Sequence, residues 1–323
     1  MNAVFSFLRS KLCALLLIAL ALHVGVLWSQ TADTHIPSSQ AQIARDLETI
    51  RTAELHHPPP LQEALLWVQL ALDYHLGAEF LKAEDAYWRA LRLLKNEPSA
   101  REEYAYILDN LSSLYLIYGR LDDAESVRKQ AIKVRQKLGN PAACAESEVH
   151  LADIMMRRRE YKKAEQLALK GLQTMESSSK PPQAGIFTAL ITLTYARCSR
   201  GQCGKGLISA KQTVAFANKN FESESAANGF ALETLGFAEW KTGALQDGER
   251  DMRQAVQILR TRLSANDPRV AGAMLQYQSY LIQAHRPAEA QEIHEQATRI
   301  SREAGVYCQE CVVSVSSLSN TLR

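Results

Sequence analysis

The chain has 323 residues, more than one ordinary core of roughly 100–200 residues accommodates, and therefore implies two domains or an extended repeat array. Apolar residues make up 46% and charged residues 22%, which excludes a mainly disordered chain, and 15 Gly with 10 Pro excludes a collagen-like or linker sequence. The 37 Lys plus Arg stand against 35 Asp plus Glu, a formal +2, without the concentrated basic surface that duplex binding needs.

In chain order, Arg9 and Lys11 precede a mostly apolar run from Leu12 to Trp28, interrupted by His23 and Gly25. A positive flank before an apolar stretch reads as a secretory signal, and the run lies between a signal core and a membrane-spanning helix in length. No small-x-small cleavage site stands out, because Leu27 and Gln30 lie two positions before Ser29 and Ala32. A cleaved signal and an uncleaved anchor over residues 1–30 both remain open, beside a third reading as a buried first helix. Export places the chain in the periplasm or outside the cell, and the part beyond Trp28 is then electrically neutral. Cys13 is not a lipoprotein cysteine, because Lys11 puts a charge where a small apolar residue is needed.

Residues 31–60 read as a polar linker followed by a capping helix over Ala41–Leu55, with Ile43, Leu47 and Ile50 on one face. His56-His57 before three prolines reads as an exposed turn rather than a metal site. From residue 61 to 305 a pattern recurs. It begins Trp67-x-x-Leu70-Ala71-x-x-Tyr74-x-x-x-Ala78-x-Phe80-x-x-Ala83, and a small residue returns at Ala83, Ala124, Ala164, Gly206, Gly248 and Ala290, at intervals of 40–42. Each unit reads as two amphipathic helices that touch at the small residue. Gly119, Gly201 and Gly243 fall where the first helix must end and suit the left-handed conformation there. Pro98, Pro141, Pro181-Pro182 and Pro268 fall in the connections between units. No hairpin buries its apolar stripe alone, so neighbours stack.

These residues, and the stretch Ile107-Leu108-Asp109-Asn110-Leu111-Ser112-Ser113-Leu114-Tyr115 with Gly119-Arg120-Leu121-Asp122-Asp123-Ala124, resemble the tetratricopeptide repeat (TPR). The spacing is similar to the repeats of kinesin light chains and of bacterial TPR scaffolds. Arg197, Glu239 and Leu281 depart from the pattern, standing where Tyr74 and Tyr115 stand earlier. The resemblance implies an all-α, right-handed TPR superhelix of about six helical hairpins whose first helices line a concave groove. It further implies a protein-protein interaction scaffold that binds a peptide or partner helix, with a regulatory module controlling a partner enzyme as the alternative. Groove positions carried over by the resemblance are Tyr106, Asp109, Asn110 and Ser113; Glu146, His150, Asp153 and Arg157; Thr188, Ile191 and Tyr195; and Phe230, Glu233, Phe237 and Trp240.

Leu232 and Leu235 are read as the packing stripe of the fifth unit's first helix. That makes Phe230, Phe237 and Trp240 extra apolar width, serving either intramolecular packing or recognition. The family's terminal-carboxylate clamp is matched only by Asn110.

No zinc-helix, phosphate-loop or nucleophile-elbow motif appears, so neither catalysis nor a cofactor or metal is expected, and no nucleic-acid partner. Gly201–Gly206 has the look of a glycine loop but joins two helices. Cys198 and Cys203 flank that turn and suit a disulfide in an oxidising compartment, as do Cys308 and Cys311 in the Ser/Val-rich tail over residues 306–323. For Cys308 and Cys311 free thiols are the favoured reading and a disulfide the alternative, with a thiol or metal protein using them as the least favoured. Arg157-Arg158-Arg159 with Lys162 and Lys163 reads as a solvated helix end, with an anion or acidic-peptide contact as the alternative.

Overall fold

The structure, a computed structural model, describes residues 40–303 except 77–78, 118 and 264–266. The apolar N-terminal run, the linker, Cys308, Cys311 and the tail lie outside the described residues. All described residues fall within one compact unit, Ile36–Arg323.

Thirteen α-helices and one 3-10 turn are present among the described residues, and no strand. A lead helix, α1 (Gln40–Leu55), packs on the first of six consecutive hairpins. The hairpins are α2 (Pro60–Leu76) with α3 (Phe80–Leu94), α4 (Arg101–Ile117) with α5 (Leu121–Leu138), and α6 (Pro141–Arg157) with α7 (Tyr161–Glu176). They continue with α8 (Gln183–Ser199) and α9 (Cys203–Asn220), α10 (Ala226–Thr242) and α11 (Leu245–Arg262), and α12 (Pro268–Gln283) and α13 (Pro287–Glu303). The fold is an all-α TPR-like solenoid.

One turn closes every hairpin. The amide two to three residues past the first helix reaches back to a carbonyl five residues earlier: Glu79 to Tyr74, Arg120 to Tyr115, Glu160 to Met155, Gln202 to Arg197, Ala244 to Glu239 and Arg286 to Leu281. Only backbone atoms make this bond. Met, Arg, Glu and Leu therefore replace the expected Tyr without changing the turn, which explains why the weaker repeats keep the geometry. The residue before each of these amides is left-handed wherever it is described: Gly119, Gly201 and Gly243, but also Arg159 (φ 62°) and His285 (φ 56°).

The six small residues Ala83, Ala124, Ala164, Gly206, Gly248 and Ala290 are all buried, each at the fourth position of its helix. The fifth hairpin shows why size matters there. A Cβ on Gly248 would lie 2.8 Å from the Gly236 carbonyl oxygen and 2.9 Å from the Trp240 nitrogen.

Two details differ from the sequence reading. Pro141 and Pro268 are the first residues of α6 and α12 rather than parts of a connection, positions where a missing N–H leaves nothing unpaired. Leu232 and Leu235 are only half-buried, and α10 instead buries Gly229, Glu233, Gly236, Phe237 and Trp240. The reason is its surroundings: α8, α9, α11 and α12 all pack on α10, so its buried side is not one leucine stripe.

Candidate functional site

Neighbouring first helices meet on one side of the stack: α6 packs on α8, α8 on α10, and α10 on α12. Second helices make no comparable contact with one another, so they occupy the other side. Toward the N-terminus, α2, α4 and α6 are not packed on one another in this way. The predicted groove residues divide along that line.

On α4 and α6 they surround a buried ion cluster. The Asp109 carboxylate accepts from Arg128 Nη1 at 2.6 Å, from Arg135 Nη1 and from Ser147 Oγ at 2.9 Å. Arg128 also donates to Ser112 Oγ at 3.2 Å, Ser113 Oγ at 3.1 Å and the Asp109 carbonyl at 3.0 Å. Arg135 Nε reaches Glu102 at 2.7 Å. Burial works against the Asp109 charge, but Arg128 and Arg135 outweigh it and hold the carboxyl below its usual range. Both arginines come from α5, behind the inner wall, so the cluster ties α4, α5 and α6 together.

Tyr106, Asn110, Ser113, Glu146, His150, Asp153 and Arg157 are half-buried around this cluster. The Tyr106 hydroxyl is buried beside the Asn110 side chain, which offsets part of the burial that raises the phenol. Burial lowers His150 to about 4, so its imidazole is neutral at pH 7, and burial pushes the Glu146 carboxyl up. Arg157 is lowered by burial against the opposing pull of Asp153. The wall thus presents an amide, a phenol, a hydroxyl and a neutral imidazole, groups suited to hydrogen-bonding a peptide backbone.

On α8 and α10 the side chains turn inward. Phe237 is 0% exposed, and Tyr195 and Trp240 are buried with it. Ring centroids follow one another from Tyr195 to Phe237 at 4.7 Å, to Trp240 at 6.1 Å and to Tyr280 at 6.0 Å. The Tyr195 hydroxyl lies 3.2 Å from Gln276 Oε1, joining α8 to α12 across α10. The extra apolar width of α10 is therefore taken up inside the stack. Glu233 is 3% exposed and burial pushes its carboxyl up to about 8, leaving it uncharged at pH 7. Thr188, Ile191 and Phe230 remain half-buried, Ile191 and Phe230 in an apolar cluster with Phe187, Phe216 and Phe221.

Two features escape inspection of the groove positions alone. Arg128, Arg135, Ser147 and Glu102 complete the ion cluster from other faces. A second set joins successive hairpins: Glu84 with Arg120 at 3.0 Å, Glu125 with Arg158 at 3.2 Å, Glu165 with both Arg197 (3.1 Å) and Arg200, and Glu249 with Arg286 at 2.7 Å. Each acid directly follows the small packing residue, so a periodic signal for it exists in the sequence. At the joint between hairpins 4 and 5 that position is Leu207. The Arg157–Arg159 run divides accordingly: Arg158 joins this set, Arg157 lies in the inner wall and Arg159 occupies the left-handed turn position.

The structure pairs Cys198 with Cys203 in a disulfide, while Cys144 is a buried free thiol. Among the described residues no group of three or more His, Cys, Asp or Glu is placed to hold a metal, and no helix is long and apolar enough to cross a membrane.

No family model and no curated protein matches this sequence. Solved structures do share its fold. The chain is similar to the apo form of RapI, with a TM-score of 0.67 at 14% identity over 80% of this chain and 91% of that one. It is similar to the Rap conjugation gene regulator of the plasmid pLS20, solved with the Phr* peptide, with a TM-score of 0.65 at 13% identity over 83% and 71%. A putative kinesin light chain of Podosopora anserina with nearly identical TPR-like repeats gives a TM-score of 0.51 at 17% identity over 63% and 97%. The class is thus a TPR-like helical-hairpin protein.

Proposed function

We propose that this protein is a non-catalytic interaction scaffold that holds an extended peptide or partner helix against the inner wall formed by α4 and α6. The observation that carries this reading is the half-buried polar wall of Asn110, Ser113 and His150, stiffened from behind by the Asp109–Arg128–Arg135 cluster. An amide, a hydroxyl and a neutral imidazole on one wall offer both donors and acceptors to the carbonyls and amides of an extended peptide. The likeness to a Rap regulator solved with a peptide supports the same reading, and favours a regulatory role on a partner protein as its second form.

Export to the periplasm or beyond, with the N-terminal segment cleaved or kept as an anchor, is part of this proposal. The apolar run Leu12–Trp28 and the Cys198–Cys203 disulfide, a bond that persists in oxidising compartments, support it. Sequencing the mature N-terminus from fractionated cells tests it: intact protein in the cytoplasm refutes export.

Selection from a random dodecapeptide display library on the full chain tests the scaffold. Enriched peptides are expected, with Asn110→Ala and His150→Ala each weakening their binding about tenfold, or ~1.4 kcal/mol. A library that yields no enriched peptide, or affinities indifferent to both variants, refutes the groove.

A further inference from the structure

Hairpin 4 is where the wall on α6 meets the tightly packed first helices, since α8 touches both α6 and α10. It is also the hairpin whose turn is closed covalently, by Cys198 at the end of α8 and Cys203 at the first position of α9. We propose that this disulfide is a thiol-sensitive clasp on the joint between hairpins 3 and 4, and that a dithiol partner opens it to loosen the peptide-holding wall. The link to the wall rests on the scaffold reading; the clasp itself does not.

Three placements support it. The bond encloses Arg200, and Arg197 directly precedes it; both guanidinium groups hold Glu165 of hairpin 3, and Arg197 Nη1 also donates to Ser209 Oγ on α9 at 2.6 Å. The clasped turn and the residue before it therefore supply both arginines of the ionic joint to the preceding hairpin. Second, Cys198 Sγ has no space to retreat into on the α9 side. A Cβ built on Gly206 would lie 2.7 Å from that sulfur and 3.1 Å from the Thr194 carbonyl oxygen, so α9 already lies against it. Opening the bond takes the sulfurs from about 2 Å to a non-bonded separation of about 3.5–4 Å. The first turn of α9 and the loop bearing Arg200 must absorb that change. Third, Cys203 is half-exposed, within reach of an attacking thiolate, whereas Cys198 is buried.

The exchange balances without further reagents. A thiolate of the dithiol attacks Cys203 Sγ, the sulfur–sulfur bond breaks, and Cys198 leaves as a thiolate that takes a proton. The second thiol of the reductant then displaces Cys203, which also becomes a thiol, and the reductant departs as a disulfide. Two electrons and two protons pass to the protein. The N-terminal end of α9 stabilises a Cys203 thiolate, which favours the reduced form.

Hydrogen exchange read by mass spectrometry on the full chain, disulfide-bonded or reduced with dithiothreitol, tests the clasp. Exchange is expected to rise at least tenfold over residues 199–210 and in the first half of α7 around Glu165, with α2, α3, α12 and α13 unchanged. A Cys198→Ser/Cys203→Ser double variant is expected to show the loosened pattern without reductant and to be unmoved by it, which separates this bond from the other cysteines. If that variant does not fold, the wild-type comparison still decides. A rise confined to residues 198–203, or none, overturns the clasp. A peptide enriched on the oxidised protein is expected to bind at least fivefold more weakly after reduction. Equal affinity on a loosened joint overturns the control of binding alone, and a library without enriched peptides overturns the scaffold while leaving the exchange result to judge the clasp.

Discussion

Hairpins 2–3 and hairpins 4–6 are built from the same turn and the same small-residue crossing, yet their inner sides are filled differently. In the first region α4 and α6 meet through side chains, and what joins them is an aspartate between two arginines. In the second, first helices touch directly and an aromatic run from Tyr195 to Tyr280 fills the space. In α10, glycine at 229 and 236 brings α11 close, with Leu259 and Ile258 against the first and Gly248 and Met252 against the second. The candidate wall lies in the region where first helices are not packed directly on one another.

Removing one filler from each region tests that contrast. Phe237→Ala leaves a cavity at a fully buried ring and should cost ~3–5 kcal/mol, with hydrogen exchange accelerating in α8, α10 and α12. Asp109→Ala leaves two buried guanidinium groups without their carboxylate and should cost roughly 2–4 kcal/mol, with acceleration in α4 to α6. Denaturant unfolding gives the size and exchange gives the place. Loosening of the same helices by both variants would show that the two regions are one unit after all.

Proton linkage sharpens the contrast further. Burial pushes Glu233 up to about 8, and burial together with a neighbouring carboxyl raises Glu239 (beside Asp251) and Asp73 (beside Asp46) to about 7. Between the ordinary carboxylate range and pH 7–8 the folded chain keeps protons that the unfolded chain has released, so stability falls as pH rises through that window. His75 and His150, lowered by burial to about 4, act oppositely, fading to about pH 7.5, one unit above the unfolded histidine pKa of about 6.5. Thermal midpoints should therefore decline from pH 6.5 to 8. Glu233→Gln should flatten the decline, whereas His150→Gln should steepen it slightly below about pH 7.5 and leave it unchanged above. An equally steep decline in Glu233→Gln would place the titrating groups elsewhere.

The sequence shows the array because its signals are local and periodic: the crossing residue every 40–42 positions and glycine at three turns both act within one hairpin. Partition of the groove positions is not local. Phe237 and Ser113 hold the same place in their repeats, and only the approach of α8 and α12 buries the former. Leu232 and Leu235 mislead for the same reason, as an amphipathic stripe presupposes one buried side and α10 is packed by four helices. Glu84, Glu125, Glu165 and Glu249 were within reach, since each follows a crossing residue, but an acid beside a packing position also reads as ordinary solvated charge.

The smallest expected effect concerns the one element both regions share. Arg159 in hairpin 3 and His285 in hairpin 6 adopt the left-handed conformation that glycine supplies at 119, 201 and 243, and both are exposed. A side chain there costs ~1–2 kcal/mol in steric strain, and replacing it with glycine returns ~0.5–1 kcal/mol of that as unfolded-state entropy. Arg159→Gly and His285→Gly should each gain about 0.5–1 kcal/mol in denaturant unfolding, and Gly243→Ala should lose a similar amount. Because the turn bond uses backbone atoms alone, the two gains should agree although one hairpin borders charge and the other aromatic rings. Unequal gains would mean that the turn senses the region it closes.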